Sequence, residues 1–464
     1  MNRIYDGLPI VGQNAACTVA GMYRQYIRYR PIFHHRLAEL QASMHLPLDE
    51  IHSLQWRRLE RLVNRARKYV PHYKTLPAPS AASDGQVAIR ETLDTIPVLR
   101  KETYRESSQN FVATDVPKRE ILRGKTSGTT GTALPLYSTK STLAAEYATV
   151  WRLRSSHGVG IRDPHMTFNG QLIVPVKQVK PPYWRSNWSQ HQVLFSIYHM
   201  TIRNREKYVD AIHSTKSVYV DGYPSALYQA AQMMLELGRP LEEGRLKAVF
   251  TSSESLLAYQ REIIEEAFCA PVWDRYGTAE FAVSMTACEE KNLHVDMEYC
   301  IVEVDVVEET DDYVRGPLLV TGLANDVTPF LRYSIGDSGT RLKKPCPCGR
   351  VGDVFLDVDG RNDDFVVTPE GRRVGRLDHI FKDQRGLIEA QIRQEVSDSI
   401  DVLYVPGRHF DTGSESALRR EIHSRLGESI HVRLLSVDAI PREANGKFRA
   451  VKSSVIWNSS EEIS

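Results

Sequence analysis

Between Pro47 and Tyr73, apolar side chains recur at Leu54, Trp56, Leu59, Leu62, Val63, Ala66 and Val70, mostly three or four apart with arginines between them. That spacing predicts an amphipathic helix covering a core. A second helical pattern runs over 141–157 through Leu143, Ala144, Tyr147, Val150 and Trp151. Ile96 to Leu99 reads as a lead-in to another helix, and Ile121-Leu122 as a strand seed. From residue 217 short apolar runs alternate with helical stretches: a strand at 217–220, a helix at 226–237 closed by Gly238, a strand at 246–250, a helix at 256–267 and a strand at 271–273. Each strand runs into small polar residues, in order Asp221-Gly222-Tyr223-Pro224-Ser225, Thr251-Ser252-Ser253-Glu254 and Asp274-Arg275-Tyr276-Gly277-Thr278-Ala279-Glu280. Three such units predict an α/β fold with a mostly parallel sheet and three loops on one rim, where ligands bind.

After about 294 the rhythm changes to short strands at 299–306, 318–321 and 330–333, followed by Ser334-Ile335-Gly336-Asp337, read as a turn whose carboxylate suits sugar hydroxyls. Gly, Asp and Asn crowd 359–364. Beyond them a small α+β unit is expected, with strands near 364–367, 401–405 and 430–435 and helices near 386–398 and 415–426. The predicted organisation is a large domain over 1–358, a hinge at 359–363 and a small mobile domain over 364–464. The segment 158–205 is dense in aromatics and histidine, which either line a pocket or fill the core.

Composition narrows the function. Of 464 residues 42% are apolar and 25% charged, and the net charge of +1 predicts neither disorder nor a nucleic-acid footprint. A small-molecule substrate fits better. Leu8 to Met22 is interrupted by Gln13 and Asn14, and no window reaches the roughly 18 continuous apolar residues of a membrane span. Tyr23 to His35, basic and aromatic, reads as a solvated helix face, with peripheral membrane contact as the alternative. Six scattered cysteines do not form a secreted disulfide pattern, so a soluble cytoplasmic protein is expected.

The chemistry centres on Thr126-Ser127-Gly128-Thr129-Thr130-Gly131-Thr132. Two glycines three apart permit a tight turn and close backbone approach, while hydroxyls and N–H groups converge as they do on phosphate oxygens. No lysine follows Gly131, so the Walker pattern is excluded. A plain Ser/Thr/Gly turn is the alternative. Cys288 and His294 are six apart, and Cys346-Pro347-Cys348-Gly349 makes a Cys-x-Cys knuckle. Three thiolates and an imidazole suit a structural zinc ion, with buried free thiols as the alternative.

Read in order, Thr126 to Thr132, Tyr276 to Glu280, Tyr333 to Asp337, Asp359 to Asp364 and Gly446-Lys447 resemble the signature loops of adenylate-forming ligases. Phe168-Asn169-Gly170, Pro182 to Asn187, Ser196 to His199 and Gly222 to Leu227 are similar to phenylacetate-CoA ligase-like enzymes, particularly their capsule-biosynthesis branch. The resemblance implies two half-reactions: a carboxylate attacks the α-phosphate of ATP, giving an acyl-adenylate and pyrophosphate, and a thiol or amine then displaces AMP. Catalysis is mainly positioning and charge stabilisation.

By the same resemblance Lys447, Glu280 and Thr278 are catalytic, with Glu280 facing Mg²⁺. Ser127, Gly128, Thr129, Thr130, Gly131, Ser253, Glu254, Tyr276, Gly277, Asp337 and Arg361 bind the nucleotide. Tyr198, His199, Tyr223 and Pro224 meet the acid, Asp363 is the hinge pivot, and Cys288, His294, Cys346 and Cys348 hold zinc. Two positions depart from the pattern: Thr132 stands where many relatives carry lysine, and Ala279 where a hydroxyl is common, with Thr278 offered as its substitute. The acid is expected to be small, with an aromatic acid as one option, and the acceptor to be CoA. A carrier-protein phosphopantetheine thiol, an amine or an amino sugar are alternatives, as is a degenerate ligase serving as a nucleotide-binding scaffold. A homodimer is an open expectation.

Overall fold

The computed structural model describes residues 3–82, 84–126, 134–359, 365–370, 373–375, 377–381, 386–443 and 446–455. The phosphate-loop residues 127–132, together with Arg361 and Asp363, lie outside them.

The helix predicted near 47–73 is Leu48–Tyr69, and it buries Ile51, Leu59, Leu62, Val63 and Ala66. Its stripe includes one polar member: buried Gln55 donates from Nε2 to the carbonyls of Met297 and Cys300 at 3.0 and 2.9 Å. Those bonds tie the helix to the sheet while leaving the amide satisfied. Helix Lys140–Ser156 matches the second pattern and starts on a Thr139 capping box. The Tyr23 to His35 segment is split between helices Ile10–Arg28 and Pro31–Ser43, and Tyr29 at the break accepts from Trp151 Nε1 at 2.9 Å. Among the described residues no helix is long and apolar enough to cross a membrane.

Among the described residues the central sheet has thirteen strands. Five are mutually parallel neighbours: Gln192–Ser196, His165–Asn169, Tyr219–Gly222, Ala248–Ser252 and Val272–Gly277. Helices Arg205–Ser214, Pro224–Glu236 and Ala258–Phe268 pack on one face of this half, and Pro31–Ser43 with Lys140–Ser156 on the other. Here the predicted βα alternation holds, but the strands run further: Asp221-Gly222, Thr251-Ser252 and Asp274 to Gly277 are strand residues, not loop. From Ser284–Ala287 onward the sheet turns antiparallel, because short links leave no room for crossover helices. The fold is therefore α/β with a parallel half and an antiparallel half.

The turn expected at Ser334 to Asp337 is instead part of strand Tyr333–Leu342. Leu319 faces Ser334 and Pro317 faces Ser338, so this strand carries surplus residues at 335–337 that bulge out, with Gly336 at φ 82°. The helix expected at 386–398 is also corrected: Leu387–Val396 is a strand between Ser399–Pro406 and Val451–Ser453. Its Glu, Ala, Gln and Arg residues favour helix, yet pairing on both edges decides the outcome. With His431–Ser436 these strands form a four-stranded sheet, packed by helix Thr412–Leu426 around Ile392, Val402, Leu418 and Ile422.

Candidate active site

A cavity of about 880 Å³ lies between the carboxyl edge of the parallel strands and the C-terminal sheet. Four separated stretches supply its chemistry: Thr126; Ser253 to Glu280; Asp337; and Lys447. Thr126 closes the stem of the glycine-rich loop. Its N–H donates to the Leu134 carbonyl and its hydroxyl accepts from Leu134 N–H, both at 3.0 Å, at the end of the Leu122–Lys125 and Pro135–Ser138 hairpin.

Tyr276 donates to Asp337 Oδ2 at 2.6 Å. Burial, with Asp337 beside it, pushes the phenol well above its ordinary range, so it stays a donor and fixes that carboxylate at the bulge. Glu280 is buried, with the Tyr333 hydroxyl 3.5 Å from Oε1. The Thr278 hydroxyl is buried without a hydrogen-bond partner among the described residues, as a group awaiting a ligand oxygen would be. Ser253 holds a left-handed backbone, φ 76°, on the cavity wall. Such conformations gather at functional sites.

The cavity also contains residues that pattern reading missed. Lys101 reaches Gly336, where an added Cβ would meet its Nζ at 2.8 Å. It is carried there because Leu99 pairs with the Tyr333 strand, its N–H donating to Arg332 O at 3.0 Å. The only signal was the Ile96–Leu99 lead-in, which gives no tertiary address. Arg275 stands in a predicted rim segment, where the pattern assigns it no role. Its Nη2 donates to Glu146 Oε1 at 2.8 Å, and its buried Nε has no partner among the described residues.

Of the residues expected to meet the acid, Tyr223 lines a smaller neighbouring cavity; Tyr198, His199 and Pro224 line neither of the two. His199 is buried, stacked on Tyr183 at 5.2 Å and bonded through Nδ1 to Ser196 at 2.8 Å. Phe168, Phe195, Tyr183 and Tyr208 likewise form core. These aromatic rings are core, while Thr167, Asn169, Gly170 and Gln171 of the same segment line the smaller cavity.

Cys288, His294, Cys346 and Cys348 converge without lining either cavity, with all ligand atoms within 4.8 Å of one another. Cys288 and Cys346 sulfurs are 3.7 Å apart, too far for a disulfide, and Cys348 Sγ is 3.3 Å from His294 Nε2. Two thiolates bound tetrahedrally to one zinc ion sit about 3.8 Å apart, so the cluster has the dimensions of such a site. Burial, with Arg350 nearby, holds His294 down to about 4, in the neutral form that ligates metal.

Residues 366–454 match the family model of the CapK C-terminal domain. Along 455 residues the chain is 26% identical to Protein CapK of Staphylococcus aureus, covering 97% of this chain and 98% of that one. It is 24% identical over 458 residues to a phenylacetate-coenzyme A ligase of Thermus thermophilus, covering 88% and 97%. These likenesses support the resemblance read from the sequence, to phenylacetate-CoA ligase-like enzymes and their capsule-biosynthesis branch. The solved 2-hydroxyisobutyryl-CoA ligase in complex with its acyl-adenylate shares the fold, with a TM-score of 0.66 at 19% identity over 88% of this chain and 90% of that one. An adenylate-forming fold thus places its parallel-strand rim, its bulged Asp337 strand and its C-terminal lysine around one cavity.

Proposed function

We propose that this chain activates a small carboxylic acid with ATP and passes the acyl group to the thiol of CoA. A carboxylate oxygen attacks the α-phosphorus and the bond to pyrophosphate breaks; the thiol then attacks the acyl carbon and AMP leaves. The observation that carries this reading is the convergence of Thr126, Thr278, Glu280, Asp337 and Lys447 on one cavity from separate parts of the chain. Asp337, held by Tyr276, takes the ribose hydroxyls. Glu280 holds Mg²⁺, whose charge helps carry the phosphates. Lys447 and the Thr278 hydroxyl meet oxygens on the phosphate and the new anhydride.

In this reading residues 127–131 and Arg361 complete the phosphate and ribose contacts, and Asp363 is the pivot about which the unit beyond residue 364 turns between half-reactions. The thiolate and imidazole cluster holds a structural zinc ion. The resemblance to the capsule-biosynthesis branch makes an amine or amino sugar the second acceptor. The deciding assay is acid-dependent exchange of labelled pyrophosphate into ATP without CoA, on the native chain and on Lys447→Ala. Exchange that Lys447→Ala reduces about a hundredfold or more supports the reading. ATP binding without exchange for any acid sinks it and leaves a nucleotide-binding scaffold. An acceptor panel then separates CoA from amines.

A further inference from the structure

A second cavity of about 420 Å³ lies beneath helix Lys140–Ser156, at the carboxyl ends of strands His165–Asn169, Tyr219–Gly222 and Ala248–Ser252. It shares Ser253 and Arg275 with the larger cavity as walls. Its volume is within the range that binds small ligands.

Val150, Leu153 and Phe250 give it apolar sides, but one wall is an ion pair: Arg154 Nη2 and Asp221 Oδ2 are 2.7 Å apart. Arg154 is spoken for, since its Nη1 also reaches the Tyr219 hydroxyl at 3.3 Å. Asp221 retains capacity. A carboxylate accepts at about four lone-pair sites; Arg154 takes one, and the Thr167 hydroxyl donates to Oδ1 while itself accepting from Gln192 at 2.8 Å. The Asp221 side chain keeps 24% of its surface exposed although it lies on a central strand, and it lines the cavity. Asn169 and Gln171 add polar side chains to the same lining.

An aryl or fatty chain placed here would strip water from Asp221 and from the Asn169 amide, whose Oδ1 already accepts from Gln171 N–H at 3.1 Å, and return no hydrogen bond, which is unfavourable. A ligand with a donor at its far end restores the bond. We propose that this cavity holds the acyl part of a short aliphatic acid whose far end carries a hydrogen-bond donor, a hydroxyl or an ammonium, recognised by Asp221. The proposal rests on the adenylation reading, with the reacting carboxylate at the Ser253 and Arg275 junction.

The test measures pyrophosphate exchange with 3-hydroxypropionate, 4-hydroxybutyrate, β-alanine and 4-aminobutyrate against butyrate, pentanoate and phenylacetate. A site built around a hydrogen bond rejects analogues lacking it strongly, so kcat/KM is expected to favour a donor-bearing acid about a hundredfold or more over its methyl counterpart. Asp221→Asn should cost the amino acids at least tenfold and the hydroxy acids less, which separates the two donors. Because Asp221→Asn risks leaving Arg154 uncompensated, Asn169→Leu is the second variant, expected to narrow the preference toward butyrate with a melting temperature lowered by no more than the loss of the Gln171 N–H bond to Asn169 Oδ1 at 3.1 Å. Exchange with pentanoate or phenylacetate equal to or above the donor-bearing acids overturns this proposal and leaves adenylation standing. ATP binding without exchange for any acid overturns both.

Discussion

The backbone N–H of Phe448 donates to Glu254 Oε1 at 2.7 Å, and the other oxygen of that carboxylate accepts from the Ser225 N–H at 3.1 Å. One side chain on the parallel-strand rim therefore anchors both the start of helix Pro224–Glu236 and the segment directly after Lys447. Hydrogen bonds to a charged group contribute about 1.5–3 kcal/mol. Glu254→Ala is expected to slow pyrophosphate exchange roughly tenfold to a hundredfold and, by leaving the Ser225 N–H at the helix start without its acceptor, to lower the melting temperature by a few degrees. Unchanged exchange would separate this carboxylate from the placement of Lys447.

The cysteine cluster makes a prediction independent of catalysis. Metal analysis of the purified chain should find about one zinc per chain, and Cys346→Ser should lose it. Structural zinc contributes directly to folding, and Cys288 and Cys346 sit against Val354 in their own small buried cluster. Chelation should therefore lower the melting temperature by several degrees. Metal-free protein with an unchanged melting curve would return these thiols to plain core.

How much of this site was legible in the sequence depended on whether its geometry is local. Thr251 to Glu254 and Tyr276 to Glu280 follow apolar runs in plain view, and the structure brings Ser253, Glu254 and Tyr276 to Glu280 to the large cavity and Thr251 and Ser252 to the smaller one. Lys101 was not legible, because a parallel bridge from Leu99 places it and leaves no spacing, and Arg275 stood in a predicted rim segment without the role that its buried bond to Glu146 gives it. The 386–398 segment was misread for the opposite reason. Its local preference is helical, but Gln391 Nε2 donates to Arg449 O at 2.7 Å and Gln394 bonds both Val367 N–H and C=O, side-chain contacts that only the strand supplies.

Asp274 gives the large cavity a pH signature. Burial pushes its carboxyl from 3.8 to about 6, although Thr251 donates to it at 2.6 Å. The folded chain then binds this proton more tightly than the unfolded chain does. The contribution to stability is complete below about 3.8 and is lost as pH rises through about 6. Asp274→Asn keeps an oxygen for Thr251 and removes the titration. Relative to that variant, the native chain should lose on the order of 2 kcal/mol of unfolding free energy between these pH values, read by denaturant titration. Parallel pH profiles for the two proteins would show that Asp274 ionises normally.

The tightest meeting between the C-terminal unit and the large sheet is backbone against backbone. Gly446 has φ 81°, and a Cβ added there would lie 2.2 Å from the Gly170 Cα and 2.9 Å from Ile197 and the Tyr198 hydroxyl. Gly170 cannot rotate away, and an alanine also resists that φ. In this arrangement the next residue, Lys447, lines the cavity, so Gly446→Ala should oppose it without disturbing either core. If the C-terminal unit turns between half-reactions, pyrophosphate exchange should fall about a hundredfold, while thioester formation from a preformed acyl-adenylate and CoA should stay within a few-fold of native. Equal loss in both halves would mean that one fixed arrangement serves both steps and that no rotation about residue 363 takes place.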